Sequence, residues 1–233
     1  MYLVSNIKRF LKTFVENSSF ESIGLFERLE ELNDSEMERL FEIISNKKAD
    51  TPPQIYSNGS DKRWFDLHKS DTSFFKKILI SRGIINKLKL CMDNASFFVM
   101  YNEIESNEGN LGSGDGWHYD STSPQLKVIF YLTDVHKDNG PFQILSGSEK
   151  KYYRKMFLLK NIFKKNISRV DKINSDLRIN TLTEKKGGGF LIKTNSIHRG
   201  KPLRKGRREA ITFYFFKKNH INIGLDKFKS PLF

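Results

Sequence analysis

Hydrophobic positions keep two different rhythms along this chain, helical in the first part and strand-like in the second. In residues 1–16, Leu3, Ile7, Phe10, Leu11 and Phe14 recur every three or four positions, with Lys8, Arg9 and Lys12 between them. That spacing predicts an amphipathic helix whose apolar stripe covers a sheet, although a basic amphipathic helix also suits an anionic membrane surface. A second helix is expected over 36–44 after Asn33-Asp34-Ser35, with Ser35 and Glu38 spaced as a capping box. Residues 47–71 have no apolar period, carry Pro52-Pro53 and Asn58-Gly59-Ser60, and read as loop. Trp64, Phe65 and His68 within it are candidates to face a pocket. Phe74, Phe75, Ile78, Leu79, Ile85, Leu88 and Leu90 predict a third helix over 73–92, divided at Gly83.

From Ser96 the period falls to two. Aromatic and β-branched runs predict strands over 97–104, 126–133, 142–145, 178–184, 190–193 and 210–217. Asn139-Gly140 between two apolar runs signals a hairpin. Residues 149–175 interrupt the series with Tyr152, Tyr153, Met156, Phe157, Leu158, Ile162 and Phe163 among many lysines. They read as a helical or partly ordered insertion, suited to a lid or to a plain solvated helix. Helices followed by a run of short strands predict one mainly β domain with flanking helices, a sandwich or barrel. It is expected to span 1–233, with a helical part over 1–95, a strand core over 96–217 and a tail over 218–233.

Composition changes this picture little. Hydrophobic residues make up 38% of the chain and include 20 Phe, enough for a substantial core. The excess of 40 basic over 27 acidic residues would suit nucleic acid, anionic glycans, phosphates or lipid head groups. The lysines are scattered rather than gathered on one face, so no nucleic-acid partner is expected. A single cysteine, Cys91, excludes an internal disulfide, and no apolar run reaches the roughly 18–20 residues of a membrane span. The N-terminus lacks a signal-peptide core, and the expected location is the cytoplasm.

Candidate chemistry lies in two stretches. Glycine-rich residues 112–116 lead into Trp117-His118-Tyr119-Asp120, where an extended backbone puts His118 and Asp120 on one face. They supply two members of a two-histidine, one-carboxylate triad, and His198, after the apolar run Phe190-Leu191-Ile192, is the candidate third. Such a triad with open positions suits non-haem Fe(II). Downstream, alternation places Arg208, Ala210, Thr212 and Tyr214 on one face and Arg207, Glu209, Ile211, Phe213 and Phe215 on the other. An arginine beside a metal ligand can take a carboxylate through two parallel N–H bonds. His136 and His220, in polar surroundings, read as surface residues.

Over residues 102–216 the sequence resembles the phytanoyl-CoA dioxygenase family of Fe(II)/2-oxoglutarate oxygenases. Trp117-His118-Tyr119-Asp120, then Asn139-Gly140-Pro141 with Ser146-Gly147-Ser148, then residues 187–190, His198-Arg199-Gly200 and Gly206-Arg207-Arg208 match its blocks in order. The resemblance implies a double-stranded β-helix core, the jelly-roll or cupin-like fold. It implies His118, Asp120 and His198 as iron ligands and Arg208 as the grip on the far carboxylate of 2-oxoglutarate, with Arg207 the fallback. The family's polar residue two places after the distal histidine is Gly200 here, so Thr212 or Tyr131 would support the arginine instead. The usual Pro-Gly-Ser-His turn is Leu145-Ser146-Gly147-Ser148-Glu149, a change expected to affect turn rigidity more than chemistry.

The implied cofactors are Fe(II), 2-oxoglutarate and O2, with hydroxylation of an unactivated C–H and release of succinate and CO2. Asp120, where halogenating relatives carry a small residue, argues for hydroxylation. The lysines of 150–172, with Lys127, Lys193 and Arg199, point to a small anionic substrate such as an acidic sugar or a CoA or phosphate ester. The alternatives are a non-catalytic metal- or glycan-binding jelly roll and a nucleic-acid oxygenase. The latter's arginine series after the distal histidine is missing from 198–216.

Overall fold

A computed structural model describes residues 23–92, 94–106, 111–120, 125–163, 168–217 and 226–233, together with Val4, Ile7 and Phe20. The helix expected over 1–16 lies outside the described residues except for Val4 and Ile7, and so does His220. Two antiparallel sheets face one another. The larger runs β1 (Phe26–Leu29), β8 (Gly189–Lys193), β5 (Leu126–Tyr131), β10 (Arg207–Lys217), β4 (Ala95–Glu105), β3 (Asp61–Trp64), β2 (Gln54–Tyr56) in that spatial order. The smaller runs β7 (Arg178–Leu182), β6 (Phe142–Ser146), β9 (His198–Gly200). This is the helix-flanked, mainly β architecture that the strand pattern implied, in the jelly-roll form that the resemblance implied.

Side-chain alternation gives the large sheet two apolar faces. One packs Phe97, Val99, Phe130, Ile211, Phe213 and Phe215 beneath α1 (Asp34–Asp50), α3 (Thr72–Ser81) and α4 (Ile84–Cys91), through Leu40, Ile43, Phe75, Leu79 and Leu88. Each such large side chain removed from water contributes about 1.5–3 kcal/mol. The other face sets Ile129, Tyr131, Phe190 and Ala210 against Phe142, Ile144 and Leu182 of the small sheet. β10 and β4 pair without a bulge from Arg207 opposite Glu105 to Lys217 opposite Ala95, so every alternate residue of β10 keeps its face. Among the described residues, no helix is long and apolar enough to cross a membrane.

Several expectations are corrected. Asn139-Gly140 does not close a hairpin, because both edges of β5 are already paired, to β8 and β10. The chain instead crosses to the second sheet, anchored by single bridges of Val135 to Glu184 and Asn139 to Leu203. The supposed loop 47–71 holds β2, β3 and a short helix α2 (Leu67–Ser70), elements too short and polar to show a period. Helix α1 is capped by Asn33 rather than Ser35. The Asn33 side chain accepts from the Glu36 N–H at 2.9 Å and the Glu36 carboxylate accepts from the Asn33 N–H at 3.0 Å, while Ser35 is already inside the first turn. The third helix divides at Gly83 as expected. The C-terminal segment is more than a tail: β11 (Ser230–Pro231) pairs with β4, and Phe228 stacks on Phe65 at 4.6 Å.

Candidate metal centre

The glycine-rich loop and the small sheet meet at a pair of histidines. His118 and His198 exchange backbone hydrogen bonds of 2.9 Å in both directions, an isolated bridge rather than the strand expected over His118 and Asp120. His118 Nδ1 faces the Gly116 carbonyl at 2.8 Å and His198 Nδ1 the Ser196 carbonyl at 2.9 Å. Carbonyls only accept, so both Nδ1 atoms carry the proton and both Nε2 lone pairs turn inward. Gly114 is required here, since a Cβ on it would lie 2.3 Å from His118 Cε1. The turn after β6 also positions His198: the Ser148 hydroxyl donates to the Leu145 carbonyl and accepts from the Ile197 N–H at 2.8 Å.

Asp120 completes the group, its two carboxylate oxygens 3.5 Å from His118 Nε2 and 3.3 Å from His198 Nε2. One donor atom from each residue lies within 4.8 Å of the others. Burial alone would push the Asp120 carboxyl up, but the Lys127 ammonium on its Oδ2 and the adjacent His198 hold it well below the usual carboxylate range. Burial pulls His198 down to about 4, keeping it neutral. His198 is 1% exposed and its Nε2 has no hydrogen-bond partner. A buried acceptor facing a second imidazole and a carboxylate is what a divalent cation satisfies, and this donor set fits Fe(II) with room for further ligands.

Beside the triad is a cavity of about 100 Å³. Its wall is the predicted face of β10, Arg208, Ala210, Thr212 and Tyr214, with Lys127, Ile129 and Tyr131 of β5. Arg208 is 5% exposed; one nitrogen donates to the Gly140 carbonyl and Nε finds no partner. Burial lowers its pKa, and among the described residues no carboxylate lies within ion-pair distance. Arg207 projects from the opposite face and pairs with Glu209 at 2.7 Å and Glu103 at 3.2 Å. Thr212 is buried against the cavity. Tyr131 also lines it, but its hydroxyl donates to the Leu182 carbonyl and accepts from the Phe142 N–H, both at 2.9 Å, so its proton is committed to bracing the two sheets.

Other candidates fall elsewhere. His68 and Trp64 are core residues, with Trp64 Nε1 donating to the Thr51 carbonyl. Phe65 packs in a separate aromatic cluster with Phe98 and Phe228. His136 is exposed. Lys193 lies over the Phe20 ring and Arg199 over Trp117, so of the three cations named from the strands only Lys127 reaches the cavity. Of the insertion, α5 (Lys151–Asn161) rests Phe157 on Tyr119, and Arg169 donates to the Asp115 carbonyl of the glycine-rich loop. Arg63 and Asp61 were missed. Arg63 lines the cavity and donates to Asp61 Oδ2 through Nε at 3.0 Å and Nη2 at 2.5 Å, while Ser113 Oγ donates to the same oxygen at 3.0 Å. Their only signal was an acid and a base two apart in a polar stretch. Gly200 has a steric reason: a Cβ there would meet Ser113 Cβ at 2.8 Å, leaving no place for the family's polar side chain.

No protein-family model matches the chain, and no curated protein matches it in sequence. Solved structures do. The chain is similar to the non-haem α-ketoglutarate-dependent carbocyclase SnoK from nogalamycin biosynthesis, at 12% identity and a TM-score of 0.62, over 94% of this chain and 93% of that one. It is similar to the epimerase SnoN in complex with Fe3+, α-ketoglutarate and nogalamycin RO, at 11% identity and 0.60, over 92% and 84%. EctD from S. alaskensis with bound Fe follows at 13% and 0.59, over 89% and 79%. At such identities the likeness shows the fold, that of the iron/2-oxoglutarate oxygenases.

Proposed function

We propose that this protein is an Fe(II)/2-oxoglutarate-dependent oxygenase of the phytanoyl-CoA dioxygenase kind, hydroxylating an unactivated C–H of a small polar or anionic metabolite or glycan precursor. The observation that carries the reading is the meeting of His118, Asp120 and the partnerless Nε2 of His198, separated by 78–80 positions in sequence, beside a buried Arg208 that pairs with no carboxylate among the described residues. His118, Asp120 and His198 would hold Fe(II), and Arg208 with Thr212 would hold the far carboxylate of 2-oxoglutarate. When bound, the metal and its cosubstrate supply the oxidising chemistry from O2, releasing succinate and CO2. The protein's share is orientation and dryness. Ile129, Phe142 and Ala210 line the cavity with apolar surface, and the backbone carbonyls of Gly116 and Ser196 fix both imidazoles.

The related folds support this choice of cofactor, since SnoN was crystallised with Fe3+ and α-ketoglutarate and EctD with Fe. The test is succinate release by purified protein given Fe(II), 2-oxoglutarate and O2 without substrate, together with a thermal shift on adding 2-oxoglutarate to the Co(II)-loaded protein. Slow succinate formation is expected. Neither succinate nor a shift would instead favour a non-catalytic jelly roll.

A further inference from the structure

Strand β5 is buried at every position, yet it carries one charged residue, Lys127. The Lys127 ammonium contacts Asp120 Oδ2 and lies 4.4 Å from the Tyr214 ring centroid, with the cavity in front of it. The charges around that cavity do not cancel. Arg63 is matched by Asp61 and Lys127 by Asp120, while Arg208 has no carboxylate within ion-pair distance among the described residues. On the reading given above, a divalent metal adds as much positive charge as a dicarboxylate cosubstrate removes. One positive charge is left in a desolvated pocket, which is costly unless an anion answers it. Asp120 would then share its charge with the metal, so the least compensated cation would be Lys127. An ammonium has three donors, and an ion pair with one Asp120 oxygen cannot occupy them all.

We propose that Lys127 is a specificity-determining residue that anchors a single oxyanion on the substrate, a carboxylate or a phosphate or sulfate ester, next to the metal. The inference rests on the oxygenase reading, and its test keeps the two apart. Co(II)-loaded protein saturated with 2-oxoglutarate is titrated with acetate, methyl phosphate and methyl sulfate, with acetamide as the uncharged control, while the visible Co(II) bands are followed. At least one anion is expected to bind saturably and acetamide not to bind. Lys127→Met is expected to weaken the anion about tenfold or more, as for a lost charged hydrogen bond, and Lys127→Gln to weaken it less. Affinity for 2-oxoglutarate in both variants should stay within about threefold of the parent, a change well below that of a lost charged contact. The anchor is refuted if no anion binds, if Lys127→Met binds anions as well as the parent, or if that variant loses 2-oxoglutarate instead. Failure of the parent protein to bind Co(II) or 2-oxoglutarate at all overturns the oxygenase reading itself.

Discussion

Two histidines, His68 and His198, are equally closed to solvent, at 0% and 1% exposed, and burial pulls both down to about 4. Their ring nitrogens separate them. His68 Nδ1 accepts from the Val99 N–H at 3.3 Å, which leaves Nε2 to donate to Ser230 Oγ at 3.0 Å. Both nitrogens are used, the ring lies 4.8 Å from that of Phe97, and the residue ties α2 to β4 and to the C-terminal strand. His198 instead donates its Nδ1–H to the Ser196 carbonyl, and its Nε2 is left facing His118 and Asp120. Burial and low basicity therefore do not mark a ligand; a buried nitrogen with no protein partner, aimed at other donors, does.

The largest effect that can break this comparison is on metal affinity. His198→Ala should weaken Co(II) binding, measured by calorimetry, by more than the roughly 10–100-fold that loss of a merely supporting partner costs. His68→Ala should leave Co(II) affinity unchanged and instead lower the free energy of unfolding in urea by about 2–3 kcal/mol, through the unpaired Val99 N–H and the cavity left behind. If His68→Ala loses metal binding in a protein that is still folded, the two histidines are not distinguished by their partners.

A second contrast, between adjacent arginines, should be next in size. Arg208→Gln is expected to weaken 2-oxoglutarate binding about 10–100-fold, the worth of charged hydrogen bonds in a dry site. Arg207→Gln should change it less than about threefold, because Arg207 spends its guanidinium on Glu103 and Glu209 across the sheet. Equal losses in the two variants would place the cosubstrate on the wrong face of β10.

The arginine face was legible in the sequence because β10 has no bulge, so simple alternation carried Arg208, Ala210, Thr212 and Tyr214 to one wall. His118, Asp120 and His198 were legible as residue types, and folding brings together what sequence holds far apart. Arg63 and Asp61 were not legible, since β3 is a short, polar strand that owes its existence to pairing with β4. The false hairpin at Asn139-Gly140 has the same origin. Turn chemistry is local, whereas the availability of an edge of β5 is decided by β8 and β10, which come later in the chain. The capping box expected on Ser35 and Glu38 lies two residues earlier, on Asn33 and Glu36. Asparagine caps as well as serine, and Asn33 stands at the same three-residue spacing from Glu36 as Ser35 does from Glu38, so spacing alone did not separate the two.

The smallest predicted effect sharpens the first comparison through pH. Because burial holds folded His68 near 4 while an unfolded histidine titrates near 6.5, the unfolded chain takes up a proton first as pH falls. The stability associated with neutral His68 is therefore complete above pH 6.5 and is lost progressively between 6.5 and 4. Between pH 7 and pH 5 this loss should amount to about 1–2 kcal/mol in urea unfolding. His68→Gln should be less stable at pH 7 but lose correspondingly less on acidification. His198 is depressed by the same amount, so its own share of the slope should persist in that variant, and in the parent it should respond to Co(II), which competes with the proton for Nε2. A His68→Gln variant whose pH dependence parallels that of the parent would mean that His68 is not held neutral by burial, and the likeness from which the comparison starts would be gone.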